Sequence, residues 1–125
     1  MSVFAQWLFL KYEHYFLTKA IGMANSFTYK LTGESELFSF DYSQVLQPAE
    51  TISSAACTVI VMNGTDSNPS AILSGSPVIS AAKVSQRVLG GTSEVTYRLE
   101  MQATTSYGNI ITVVGDLPIY DPSLV

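Results

Sequence analysis

Among the acidic residues, Asp41, Glu50, Asp66, Asp116 and Asp121 are the candidates for carboxylate chemistry. Hydrolysis by general acid and base would need two of them paired across a substrate. Each stands alone beside a turn, where Asp and Glu are solvated or accept hydrogen bonds from nearby backbone. The one histidine, His14, falls in an aromatic-rich leader, so the many serines have no evident base. There is no Gly-x-Ser-x-Gly elbow, no glycine loop to cradle phosphate and no Cys/His ligand cluster. Cys57 is the single cysteine, which excludes an intramolecular disulfide and a thiol-rich zinc site; it reads as a small buried hydrophobe. Asn63, Asp66 and Asn68 could offer oxygens to calcium from one loop, but the spacing is not that of an EF-hand, and an Asx-turn accounts for the same residues. The expectation is a protein without catalytic residues, metal or cofactor.

With little chemistry to position, the elements themselves carry the reading. Ser93 to Gly115 organises the chain. Val95, Tyr97, Leu99, Met101 and Ala103 alternate with Glu94, Thr96, Arg98, Glu100 and Gln102, the period of a half-buried strand. Ser106-Tyr107-Gly108-Asn109 is a turn in which Gly108 supplies a positive φ, and Ile110 to Val114 returns as the second arm of a hairpin. The alternating polar face, from Glu94 to Gln102, holds no catalytic set and reads as solvated sheet surface.

Upstream, residues 26–31 predict a short strand and 32–35 a turn. Phe38, Phe40 and Tyr42 alternate with Ser39, Asp41 and Ser43, giving a strand with one aromatic face. Pro48 ends it. Thr51 to Met62 is apolar on both faces in its second half, as in a strand covered on both sides or packed at a sandwich centre. Asn63-Gly64 is a strong two-residue hairpin signal, and the loop continues polar to Pro69. Val78 to Leu89 predicts one strand or two, with a bulge or break near Ala81-Ala82. Gly90-Gly91 predicts a tight turn into the organising hairpin, making a three-strand meander. Asp121-Pro122 ends regular structure and leaves an extended tail.

Composition points the same way. The chain is 47% hydrophobic and only 13% charged, with a net charge of −4. Scattered Lys and Arg residues give no footprint for a nucleic-acid backbone. Within residues 1–22 the apolar run, Val3 to Leu10, is ended by Lys11, Glu13 and His14, far short of the ~20 residues of a membrane span, and the segment lacks the pattern of a signal peptide. It reads as an N-terminal extension, either an upstream mis-start before Met23 or an amphipathic helix. Residues 23–118 then form one all-β domain, an antiparallel sandwich of about seven strands, and 119–125 the tail. Of the aromatics, Phe38, Phe40, Tyr42 and Tyr97 read as core, each Tyr hydroxyl finding a backbone acceptor as in a tyrosine corner. Tyr107, at the hairpin tip, either meets a partner or folds back over its own hairpin.

The succession Phe40-Asp41-Tyr42-Ser43, Glu50 to Ser54, Gly64-Thr65-Asp66, Val84 to Gly91, and Thr96-Tyr97-Arg98-Leu99 through Thr104-Thr105-Ser106-Tyr107-Gly108-Asn109 resembles a family of small tailed-bacteriophage virion proteins. The resemblance covers about Phe38 to Leu117. It implies an immunoglobulin-like fold and a structural role as a fibre-tail adaptor or minor head or tail protein, made in the host cytoplasm and carried in the virion. Other virion proteins and further copies of the chain are the implied partners. The expected contact residues are Asn63 and Asp66 in the polar loop, Tyr107, Gly108 and Asn109 at the tip, and Leu117, Ile119 and Tyr120 in a tail that could extend a neighbour's sheet. The other reading is a carbohydrate- or protein-binding module of a bacterial surface protein, with Tyr107 and Tyr120 as its sugar-stacking rings.

Overall fold

The computed structural model describes residues 25–125; the readings of the extension lie outside them. Among the described residues the strands are β1 (Asn25–Ser26), β2 (Lys30–Leu31), β3 (Ser35–Asp41), β4 (Ile52–Asn63), β5 (Leu73–Ser80), β6 (Lys83–Leu89), β7 (Thr96–Thr105) and β8 (Ile110–Tyr120), with single turns of 3-10 helix at Pro69–Ile72 and Pro122–Leu124. One sheet runs β4-β7-β8, with β1 and then β2 paired parallel to the far edge of β8; the other runs β3-β6-β5. The protein is a two-sheet β-sandwich.

Its core follows from alternation. Tyr97, Leu99, Met101, Ala103 and Thr105 of β7 and Ile111, Val113, Leu117 and Ile119 of β8 all face inward and are buried. Phe38, Phe40, Val84 and Val88 come from the opposing sheet. Phe27, between β1 and β2, closes the gap between the sheets, its ring meeting Phe38 at 5.0 Å and Phe40 at 5.4 Å edge to face. It fits because Gly115 has no side chain: a Cβ there would overlap the Phe27 ring. On the outer face of the hairpin, Arg98 grips Asp116 across the strands through Nε at 2.7 Å and Nη2 at 3.0 Å.

The hairpin is as expected, but several connections differ. Asn63-Gly64 does not join neighbouring strands: β4 pairs with β7 and the chain crosses to β5 in the other sheet. Gly64 has a positive φ of 93°, which glycine adopts without strain, and a Cβ there would also press on Val95. Gly90-Gly91 likewise carries the chain from β6 across to β7, not around a hairpin, so there is no meander. Local turn chemistry reads the reversal but cannot say which strand offers a free edge. The tight turn lies instead at Ala81-Ala82, where Ser80 faces Lys83.

β4 is an edge strand with one covered face. Ile60 and Met62 are exposed and Cys57 is half-buried, correcting the reading of a strand covered on both sides or packed at a sandwich centre, and of Cys57 as a buried hydrophobe. The expected single strand over 26–31 is two short pairings separated by Phe27, Thr28 and Tyr29. Residues 119 and 120 are no tail: they end β8, opposite Lys30 and Leu31. Lys30 is itself buried, its Nζ donating to the Gly90 carbonyl at 2.6 Å and the Leu31 carbonyl at 2.8 Å, which ties β2 to the β6–β7 crossover. Burial lowers its pKa, against the pull of Glu34 and Glu36.

Candidate assembly surface at the hairpin tip

The β7–β8 tip rests on a buried carboxylate. Glu50, in the loop before β4, accepts from the Gln47 N–H at 2.8 Å through Oε1, and from Thr105 Oγ1 at 2.5 Å and Asn109 Nδ2 at 2.8 Å through Oε2. The Thr105 hydroxyl, having donated to Glu50, accepts from the Tyr107 and Asn109 N–H groups at 3.3 and 3.2 Å, so its donor and both lone pairs are used. Burial pushes the Glu50 carboxyl pKa upward, but the donors from Gln47, Thr105 and Asn109 outweigh it and hold the group below its ordinary 4.5. Thr51 and Ser106 add a reciprocal pair, Ser106 N–H to the Thr51 carbonyl at 2.8 Å and Thr51 N–H to Ser106 Oγ at 3.0 Å. Gly108 takes the positive φ, 80°, that closes the turn.

Tyr107 follows neither expectation in full. The residue is 51% exposed, yet its hydroxyl donates to the Pro48 carbonyl at 2.8 Å, so it leans onto the neighbouring loop. Ile110, the first residue of β8, is 64% exposed. The tip therefore presents two large apolar side chains on a rigid base. Nothing in the pattern of Glu50, a carboxylate after a proline turn, distinguished it from a solvated one; the only signal was a Thr and an Asn flanking a glycine turn, which need an acceptor.

The other expected contact residues do not join this surface. Asp66 lies at the opposite end of the sandwich, about 30 Å away along the ten residues of β7. One of its oxygens accepts from the Asn68 N–H at 2.9 Å, the Asx-turn, and the other from the Tyr97 hydroxyl at 2.6 Å. Tyr97 in turn accepts from the Thr92 N–H at 2.9 Å. These donors hold the Asp66 carboxyl below its ordinary range, the Tyr97 hydroxyl foremost. Asn63 is exposed at the end of β4, at the same end as Asp66. Leu117 and Ile119 are fully buried in the chain's own core and cannot reach a neighbour, because β8 is an interior strand with β1 and β2 on its outer edge. Tyr120 is half-buried and meets the exposed Tyr29 edge to face at 5.9 Å.

Among the described residues no three His, Cys, Asp or Glu side chains come together as a metal site would require, and no helix is long and apolar enough to cross a membrane. Cys57 is a poor nucleophile at neutral pH: burial, with Glu100 nearby, pushes its thiol up to about 11. Comparison with curated proteins finds no match. Residues 30–117, well over half of the chain, match the model of a family described as podophage GP4 fiber-tail adaptor protein gp77.

Proposed function

The chain belongs to the podophage fibre-tail adaptor family, and from that premise we propose that it is a non-enzymatic, immunoglobulin-like module that joins tail and fibre components in the assembled particle. The observation that carries this reading beyond the family is the hairpin tip. An adaptor must hold a small contact surface in a fixed orientation, and Tyr107 and Ile110 are exposed on a turn fixed through Glu50 and Thr105. Rigid presentation lowers the entropy lost on docking, and repeated copies in a particle make weak contacts sufficient.

The strand order supports the immunoglobulin-like part. A β4-β7-β8 sheet faces β3-β6-β5, the order of the CFG and BED strands of a seven-strand immunoglobulin sandwich, while the opening strands β1 and β2 depart from that pattern by pairing with β8 instead of β3. Tyr97, near the start of β7, sits where a tyrosine corner would, but its hydroxyl donates to the Asp66 carboxylate and not to the expected backbone acceptor, while accepting from the Thr92 N–H five residues upstream.

Mass spectrometry of purified virions tests the role: the protein is expected among the structural components, and its absence overturns the proposal. Tyr107→Ala combined with Ile110→Asp tests the surface. Full-length protein carrying both is expected to keep its circular dichroism and thermal midpoint while losing incorporation into particles; normal incorporation would remove the tip from the joint.

A further inference from the structure

Beside the hairpin tip, the loop before β4 holds a residue in a conformation that its own fold does not explain. Gln47-Pro48-Ala49-Glu50 is a β-turn, closed by the Glu50 N–H on the Gln47 carbonyl at 3.0 Å. The ring of Pro48 fixes a negative φ, and Ala49 has a φ of +66°, a combination that defines a type II turn. The third position of such a turn favours glycine, because in the left-handed region a Cβ is crowded by the neighbouring backbone. Here it is an alanine.

The turn serves the chain in two ways. It sets the Glu50 carboxylate to receive the Gln47 N–H at 2.8 Å. Its central peptide, flipped relative to a type I turn, offers the Pro48 carbonyl to the Tyr107 hydroxyl, 2.8 Å away. Glycine at position 49 would keep both contacts with less strain. The methyl adds nothing to the core either, since Ala49 is exposed. Non-glycine residues held in this region cluster at binding and catalytic sites, so the outlier points to a use outside the chain.

We propose that the Ala49 methyl and the Pro48 ring form one contact surface with Tyr107 and Ile110, and that this surface seats in an uncharged apolar recess of a different virion protein. The Tyr107–Pro48 hydrogen bond holds the two turns side by side. None of the exposed residues in 47–50 and 105–110 is charged, and the one carboxylate there, Glu50, is buried and bound. A charged partner patch would find nothing to answer it. Exposed turns project, so the matching shape is a recess, which the same turns of a second copy do not offer. The inference rests on the adaptor reading of the tip and extends it to the turn that buttresses Tyr107.

Competition for places in the particle tests it. Full-length parent and variant are co-expressed during assembly, and mass spectrometry compares their ratio in purified virions with that in the lysate. Ala49→Gly is expected to keep or raise the thermal midpoint of the free protein, yet to be under-represented in particles by about fourfold, the effect on an equilibrium constant of losing one buried methyl group. A lowered midpoint, or parity in the particles, overturns the inference. Ala49→Asp introduces a residue type that tolerates the left-handed region. It is expected to fold like the parent and to be excluded; parity overturns the uncharged recess. Ala81 supplies the matched control, being exposed with a φ of 54° but placed in the β5–β6 turn. Ala81→Asp is expected to be incorporated like the parent, and equal exclusion of both Asp variants overturns the assignment to the Pro48–Ala49 turn. Sedimentation of the free parent is expected to show a monomer; a dimer that Ala49→Asp dissociates overturns the choice of partner. Parity of Ala49→Gly leaves the adaptor reading standing, whereas absence of the parent from particles overturns that reading instead.

Discussion

Glu50 illustrates how one residue can control a surface it does not join. The residue is 6% exposed and its carboxylate accepts from a backbone N–H, a hydroxyl and an amide, so removing it leaves those donors unpaired. Glu50→Ala is expected to lower stability by about 1–3 kcal/mol, the cost of leaving buried partners unpaired. Acid should do the same more gradually. Because the folded carboxyl sits below its ordinary 4.5, its contribution is complete above that pH and is lost as pH falls through the folded value. Urea midpoints at about pH 6 and about pH 3 should therefore differ less in Glu50→Gln than in the parent. Asp41, Asp66 and Asp121 are held low in the same direction, so the variant keeps part of the acid sensitivity.

For the elements, the decisive contact is Phe27 over Gly115. β1 and β2 contribute only two residues each to pairing, too few to hold the edge of β8 by backbone bonds alone. Phe27 anchors them by filling the space between sheets, and its N–H reaches the Asp116 carbonyl at 2.9 Å. Gly115→Ala is expected to displace the ring and cost about 1–3 kcal/mol, as overpacking does. Loss of exchange protection at 25–31, with β7 protection kept, would locate the damage. The Arg98–Asp116 clasp is a smaller effect: both side chains are partly exposed, 20% and 26%, and such pairs contribute about 0.2–1 kcal/mol before salt screening.

Among the described residues the two sheets share a core, Phe38, Phe40, Val84 and Val88 of one meeting Tyr97, Leu99, Met101 and Val113 of the other. Unfolding is therefore expected as a single transition, with secondary and tertiary signals lost together. Leu99, fully buried at the centre of β7, tests this. Leu99→Ala should reduce stability by about 2–5 kcal/mol through the lost burial and the cavity left behind, moving the denaturant midpoint with no change in slope. Two transitions in the parent protein would show that the sheets fold separately. The two ends of this sandwich are chemically distinct. One presents Tyr107 and Ile110; the other is fastened through Asp66, Tyr97 and Thr92.

Alternation along Val95 to Ala103 and along Phe38 to Tyr42 was enough to specify strands, their buried faces and an all-β sandwich, because side-chain period and burial are local properties of an extended chain. Turn residues likewise marked where the chain reverses. They could not say where it goes next: Asn63-Gly64 and Gly90-Gly91 look like hairpins, yet both cross between sheets. That choice is made by which strands can pack against one another. For the same reason Leu117 and Ile119 read as a tail and proved to be core, and Glu50 read as an ordinary turn carboxylate. The tip was legible as a turn from Ser106 to Asn109. Its rigidity was not, because the acceptor that fixes it comes from 55 residues earlier in the chain, and only folding brings them together.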